Sequence, residues 1–117
     1  MIVLGIDPGL ANTGWGVIET RGSVARARAY GCIHSEASEP LHERLGAICS
    51  QLAAVIERYQ PSSVAIEDIF FGQNTRSAIL TAHARGAALA SYSNGHELVS
   101  PFQLLLEQAH FTTAAPF

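Results

Sequence analysis

The chain opens Met1-Ile-Val-Leu-Gly-Ile-Asp7-Pro8-Gly9, and the fold turns on how that stretch is read. Ile2 to Ile6 is a short apolar run cut off by Asp-Pro-Gly, which reads as a buried strand stopped by a turn. The pattern returns once: Ser63 to Ile66 is a second short buried strand, and it too ends on a carboxylate, Glu67. Between them, Leu41 to Tyr59 has apolar residues at 41, 45, 48, 49, 52, 55, 56 and 59. That is a helical stripe; Pro40 suits its first turn and Gln60-Pro61 ends it. A helix between two buried strands predicts a parallel crossover.

Working outward, Thr13 to Glu19 alternates Trp15, Val17 and Glu19 against Gly14, Gly16 and Ile18, as a strand does. The chain turns around Arg21-Gly22-Ser23 and returns as a third strand over Ala25 to Ile33, giving an antiparallel meander. Ser35 to Pro40 is a polar linker. After a loop at Phe70 to Gln73, Asn74 suits an N-cap for an Ala-rich helix over Thr75 to Ser93, closed by Asn94-Gly95. Its small residues permit close helix approach. A last short strand is expected at Glu97 to Ser100, then a helix over Phe102 to Ala109. Together these predict an α/β fold with a mixed five-stranded sheet, order 3-2-1-4-5, flanked by helices.

The length of 117 residues suits one domain. Hydrophobic residues make up 48% and charged residues 15%, an ordinary globular composition, with no run long enough to span a bilayer. The start lacks the basic region of a signal peptide, so a soluble, cytoplasmic protein is expected. Cys32 and Cys49 match no zinc spacing and are expected as buried reduced thiols. His34, His42, His83, His96 and His110 show no metal-ligand spacing. The net charge of −3, with seven arginines and no lysine, is not the footprint of a DNA-binding protein.

In an α/β sheet, functional groups collect at the carboxyl ends of parallel strands, where Asp7 and Glu67 both sit. Neighbouring strands lie about 4.8 Å apart. Two carboxylates that close repel unless a cation sits between them, and oxygen-only ligands favour magnesium or manganese. On the residues alone, each acid could equally cap a strand or turn. For Phe70 and Phe71 the residues alone favour core packing.

The block Leu4-Gly-Ile-Asp-Pro-Gly9, with Thr13-Gly14 and Gly16-Val17-Ile18, resembles the opening of the RuvC-type Holliday-junction resolvases. Gly31-Cys32-Ile33, Arg44-Leu45, Gln60-Pro61 and Ala65-Ile-Glu67 resemble the same family. The most specific block is Ile66-Glu-Asp-Ile-Phe-Phe-Gly-Gln-Asn74, followed by Ser77-Ala78 and Ala84-Arg-Gly86. The YqgF-type nucleases and the sugar kinase–actin group share the first block but not this one. The similarity covers residues 1 to about 100.

The resemblance implies an RNase H-like fold. It also implies an endodeoxyribonuclease that resolves four-way DNA junctions by metal-dependent paired nicking in recombination and repair. Asp7 and Glu67 match the first two of the family's four catalytic, metal-binding acids, with Mg2+ as cofactor and Mn2+ as its substitute. Phe70 matches an aromatic that stacks on a junction base, and Phe71, Asn74 and Arg76 are expected to contact DNA beside it. The helix from Asn74 matches the one through which two subunits pair in a homodimer. A branch-migration motor of the RuvA and RuvB type is the implied protein partner.

The family goes on to a Gly-rich turn, a basic segment and a final helix with two further acids. After Asp68 this chain has only Glu97 and Glu107, neither in a matching context, and residues 101–117 diverge. The expectation is one domain over 1–117, truncated at its C-terminal side, with slow or no cleavage. The alternatives are a non-catalytic remnant that dimerises or binds branched DNA, and a YqgF-like nuclease.

Overall fold

The structure, a computed structural model, describes residues 1–67 and 75–92. Its elements in order are β1 (Ile2–Asp7), β2 (Asn12–Arg21), β3 (Val24–His34), α1 (Leu41–Tyr59), β4 (Ser63–Ile66) and α2 (Thr75–Ser91). The strands form one mixed sheet in the order β3-β2-β1-β4. The meander is antiparallel, and β4 joins β1 in parallel after the α1 crossover. Four strands of the expected order are present. The fifth, expected at Glu97 to Ser100, lies outside the described residues, as do the helix expected over Phe102 to Ala109 and the 101–117 tail.

The period-2 alternation of the strands sorts their side chains onto two faces. Leu4, Ile6, Val17, Ile33, Val64 and Ile66 share one cluster with Ile48, Leu52 and Ile56 of α1 and with Ala84, Ala88 and Tyr92 of α2. Both helices therefore pack against the same face. Burial of each of these large side chains contributes about 1.5–3 kcal/mol. Ala84 and Ala88 leave room for α2 to close on the core beside α1, so part of that helix's small-residue pattern serves packing within the chain. Its other side carries exposed Ile79, Ala82, His83, Gly86 and Ala90.

The β2–β3 hairpin is longer than its sequence pattern suggests. Its ladder runs out to Arg21 opposite Val24, with Gly22 at φ 60° in the turn. Residues 24–28 are all exposed, so no alternation marks this part of the strand. The end of α1 matches its sequence signal: Gln60 takes a left-handed conformation, its amide donates to the Ile56 carbonyl at 2.8 Å, and Pro61 follows. The expectation of two buried thiols does not hold. Cys32 is exposed and Cys49 half-buried, because Cys32 takes the opposite parity on β3 from buried Ile33.

Candidate active site

The site forms where β1 and β4 end together. Ile6 lies opposite Ile66 in the parallel ladder, and the Glu67 amide donates to the Ile6 carbonyl at 3.0 Å. Asp7 and Glu67 are therefore next in register, and residues in register project to the same face. Alternation sets that face opposite the helices, because Leu4, Ile6 and Ile66 point into the helix-covered core.

Both acids are exposed, yet Glu67 holds its proton more tightly than an ordinary carboxyl. The causes are its partial burial first, then a hydrogen bond with the Asp7 side chain and the repulsion of the Asp7 charge. Two carboxyl groups brought together in this way present an oxygen-only donor pair for a hard divalent cation. Among the described residues, no group of three or more His, Cys, Asp or Glu residues is placed to hold a metal ion. The pair would hold one side of a hydrated ion by its carboxylate oxygens.

The loop from Pro8 to Ala11 returns the chain from β1 to β2, and side chains outside the pair hold it. The Thr13 hydroxyl, fully buried, donates to the Gly9 carbonyl at 2.7 Å. Ser35, also buried, donates its hydroxyl to the Leu10 carbonyl at 2.6 Å and its amide to the Ala11 carbonyl at 3.0 Å. Arg44, near the start of α1, donates its Nε to the Ser35 hydroxyl at 2.8 Å. Gly9 is required by close approach, since a Cβ there would lie 2.4 Å from the Asn12 carbonyl oxygen. On the other side, Arg85 of α2 donates its Nε to the Glu67 carbonyl at 3.3 Å.

Of the residues singled out from sequence, Asp7 and Glu67 come together. Arg76 is exposed in the first turn of α2. Phe70, Phe71 and Asn74 lie outside the described residues. Sequence reading missed Thr13, Ser35, Arg44 and Arg85 as supports of the site. Thr13, Arg44 and Arg85 stand inside quoted motif blocks, which was the available signal; Ser35 stood in what read as a polar linker.

The sequence model of the family described as "Crossover junction endodeoxyribonuclease RuvC" matches residues 3–104. A protein of that description from Desulforamulus reducens is 46% identical over 94 residues, 80% of this chain and 58% of the relative. One from Magnetococcus marinus is 46% identical over 89 residues, 76% of this chain and 49% of the relative. The chain thus spans about half the length of these relatives. A solved structure described as "T. thermophilus RuvC in complex with Holliday junction substrate" superposes with a TM-score of 0.79 at 30% identity, covering 100% of this chain and 72% of that one. The fold is the RNase H-like arrangement that the resemblance implied. With the family match running through both acid-bearing strands, the chain belongs to the RuvC family of crossover junction endodeoxyribonucleases.

Proposed function

We propose that this chain carries the Asp7–Glu67 half of a metal-dependent endonuclease site that nicks four-way DNA junctions in recombination and repair. The observation that carries the reading is the meeting of two carboxyl groups at adjacent strand ends, where the Asp7 carboxylate disfavours the charge of Glu67. A magnesium ion, or manganese in its place, would supply charge neutralisation at the scissile phosphate and an activated water. Asp7 and Glu67 would hold that ion by their oxygens. The family membership, and the superposition on a relative described with a Holliday junction, support four-way DNA as the substrate.

Phe70 would stack on an unpaired junction base, and Phe71, Asn74 and Arg76 would contact the DNA. A flat ring suits sequence-tolerant stacking. Two chains would pair through α2, whose outward side presents exposed Ile79 among small residues. A junction has two-fold symmetry, and two symmetric cuts need two sites. A branch-migration motor of the RuvA and RuvB type would deliver the junction. Cytoplasmic placement fits a DNA substrate, and among the described residues no helix is long and apolar enough to cross a membrane.

Among the described residues Asp7 and Glu67 supply ligands on one side, whereas in-line displacement with two metals needs them on both sides of the phosphate. We therefore expect weak metal affinity and slow cleavage. The test is a synthetic four-way junction with magnesium or manganese, comparing the chain with its Asp7→Asn and Glu67→Gln forms. Paired symmetric nicking lost in both variants supports the reading. Junction binding without nicking favours the second reading, a non-catalytic remnant. Nicking that survives both substitutions overturns the assignment of the site.

A further inference from the structure

Three consecutive carbonyls in the loop after Asp7, those of Gly9, Leu10 and Ala11, each accept a hydrogen bond, and two of the three donors belong to Ser35. The Ser35 hydroxyl is fixed from both sides, donating to Leu10 and accepting from Arg44 Nε. A hydroxyl that both donates and accepts in a buried setting has one orientation available, and loss of either partner leaves a buried polar group unpaired. The chain of contacts runs from α1, on one face of the sheet, through to the loop that leaves Asp7.

We propose that Ser35, with Arg44 behind it, is a positioning residue that holds Asp7 in place for its metal ion; this rests on the reading of Asp7 as a metal ligand. β1 fixes the backbone up to Asp7 through ladders on both sides. The direction in which the chain departs is set by Pro8 to Ala11, and that segment is tied down by Thr13 and Ser35. The same helix leads through Gln60 and Pro61 into β4, which ends at Glu67. Helix α1 is thereby joined to both acids: by side chains at its start, and by continuous chain at its end. It acts as a fixed spacer between them. Thr13 follows the loop directly, so its contact is local, whereas Ser35 and Arg44 bring in distant segments and carry the coupling.

The test is a Mn2+ titration of the chain, followed by paramagnetic broadening of the Asp7 and Glu67 signals. It compares the unsubstituted chain with Ser35→Ala, Arg44→Met, Ser35→Thr and Ile48→Val. Ile48→Val loosens the core at a side chain that makes none of the loop's hydrogen bonds, so it controls for destabilisation alone. Ser35→Ala and Arg44→Met are expected to weaken Mn2+ binding about tenfold, the low end for groups that orient a metal ligand. Ser35→Thr, which keeps the hydroxyl, should restore most of the affinity, and Ile48→Val should leave it unchanged. A folded Ser35→Ala chain that binds Mn2+ as tightly as the unsubstituted one overturns the proposal. So does a loss that Ile48→Val reproduces at equal destabilisation. If the unsubstituted chain shows no Mn2+ binding that Asp7→Asn removes, the metal-site reading fails and this inference falls with it.

Discussion

The amide of Glu67 donates to the carbonyl of Ile6, the residue before Asp7, at 3.0 Å. This bond fixes register where it matters most. A slip of one residue between β1 and β4 would send the Glu67 side chain to the opposite face of the sheet and dissolve the site. Buried Ile66 and Val64 resist such a slip, because it would take both out of the cluster they share with α1 and α2.

The closeness of the two carboxyl groups makes the metal-free chain sensitive to pH. Glu67 has a proton affinity raised by partial burial and by Asp7. A carboxyl whose folded pKa lies above its unfolded value contributes stability that is fully present below the unfolded value. That contribution is lost as pH rises through the folded one. Glu67→Gln should therefore gain stability relative to the unsubstituted chain as pH rises through and beyond the ordinary carboxyl range at about pH 4, by up to ~1 kcal/mol for an exposed, screened pair. Urea unfolding of both chains in metal-free buffers across that range measures it. A constant difference at all pH values would refute the expectation.

Divalent metal should reverse that penalty in the unsubstituted chain alone. At a Mn2+ concentration ten times the dissociation constant, ligand linkage stabilises the fold by about 1.4 kcal/mol. Asp7→Asn and Glu67→Gln should show far less. Thermal melts with and without Mn2+ give the comparison, and equal stabilisation of all three chains would indicate binding elsewhere.

Gly9→Ala places a Cβ 2.4 Å from the backbone oxygen of Asn12, which has no flexible side chain to move aside. The loop must shift, at a cost of roughly 1–3 kcal/mol, the range for overpacked sites. Because that loop follows Asp7, metal affinity should fall with stability. Calorimetric unfolding and a Mn2+ titration would report the two effects separately.

Gly31 lies opposite Trp15 across the hairpin, and a Cβ there would come within 2.7 Å of the indole ring. Gly31→Ala should push the ring from its seat at a cost of roughly 1–3 kcal/mol. Trp15 is the chain's single tryptophan, so its fluorescence maximum reads the displacement directly. An unchanged emission spectrum would mean that the ring does not occupy this position.

Leu52 is fully buried between α1 and the sheet. Leu52→Ala should cost about 2–5 kcal/mol from lost transfer energy and the cavity left behind. The midpoint of a urea curve should fall accordingly, with little change in slope.

The frame of the site was open to reading from sequence because it rests on strong local patterns. Ile2–Ile6 and Ser63–Ile66 are short apolar runs that each end on an acid, and the 3.6-residue stripe of Leu41–Tyr59 forced a crossover between them. The outer half of the β2–β3 ladder was less legible, since exposed Ala25 to Arg28 alternate with nothing buried. Harder still was the support of the loop. Ser35 and Arg44 look like linker and helix surface in one dimension, and only the folded chain brings them to the carbonyl of Leu10. Cys32 misled for a related reason: burial on an edge strand depends on parity, and side-chain chemistry alone does not reveal it.

The parallel pairing of β1 with β4 also sets an order of assembly. The β1–β2–β3 meander joins segments adjacent in sequence, so it can close as soon as those residues are available. Asp7 is then already fixed on an edge strand of a small sheet, with the side that β4 will take still open. Its partner must wait until α1 has formed and Ile66 has reached Ile6 across the whole intervening chain. Lengthening a closed loop twofold costs only about 0.6 kcal/mol, so the delay is one of sequence of events more than of final stability. A growing polypeptide would therefore carry three of the four described strands for some time before it could hold a cation, and the site would switch on in a single late step.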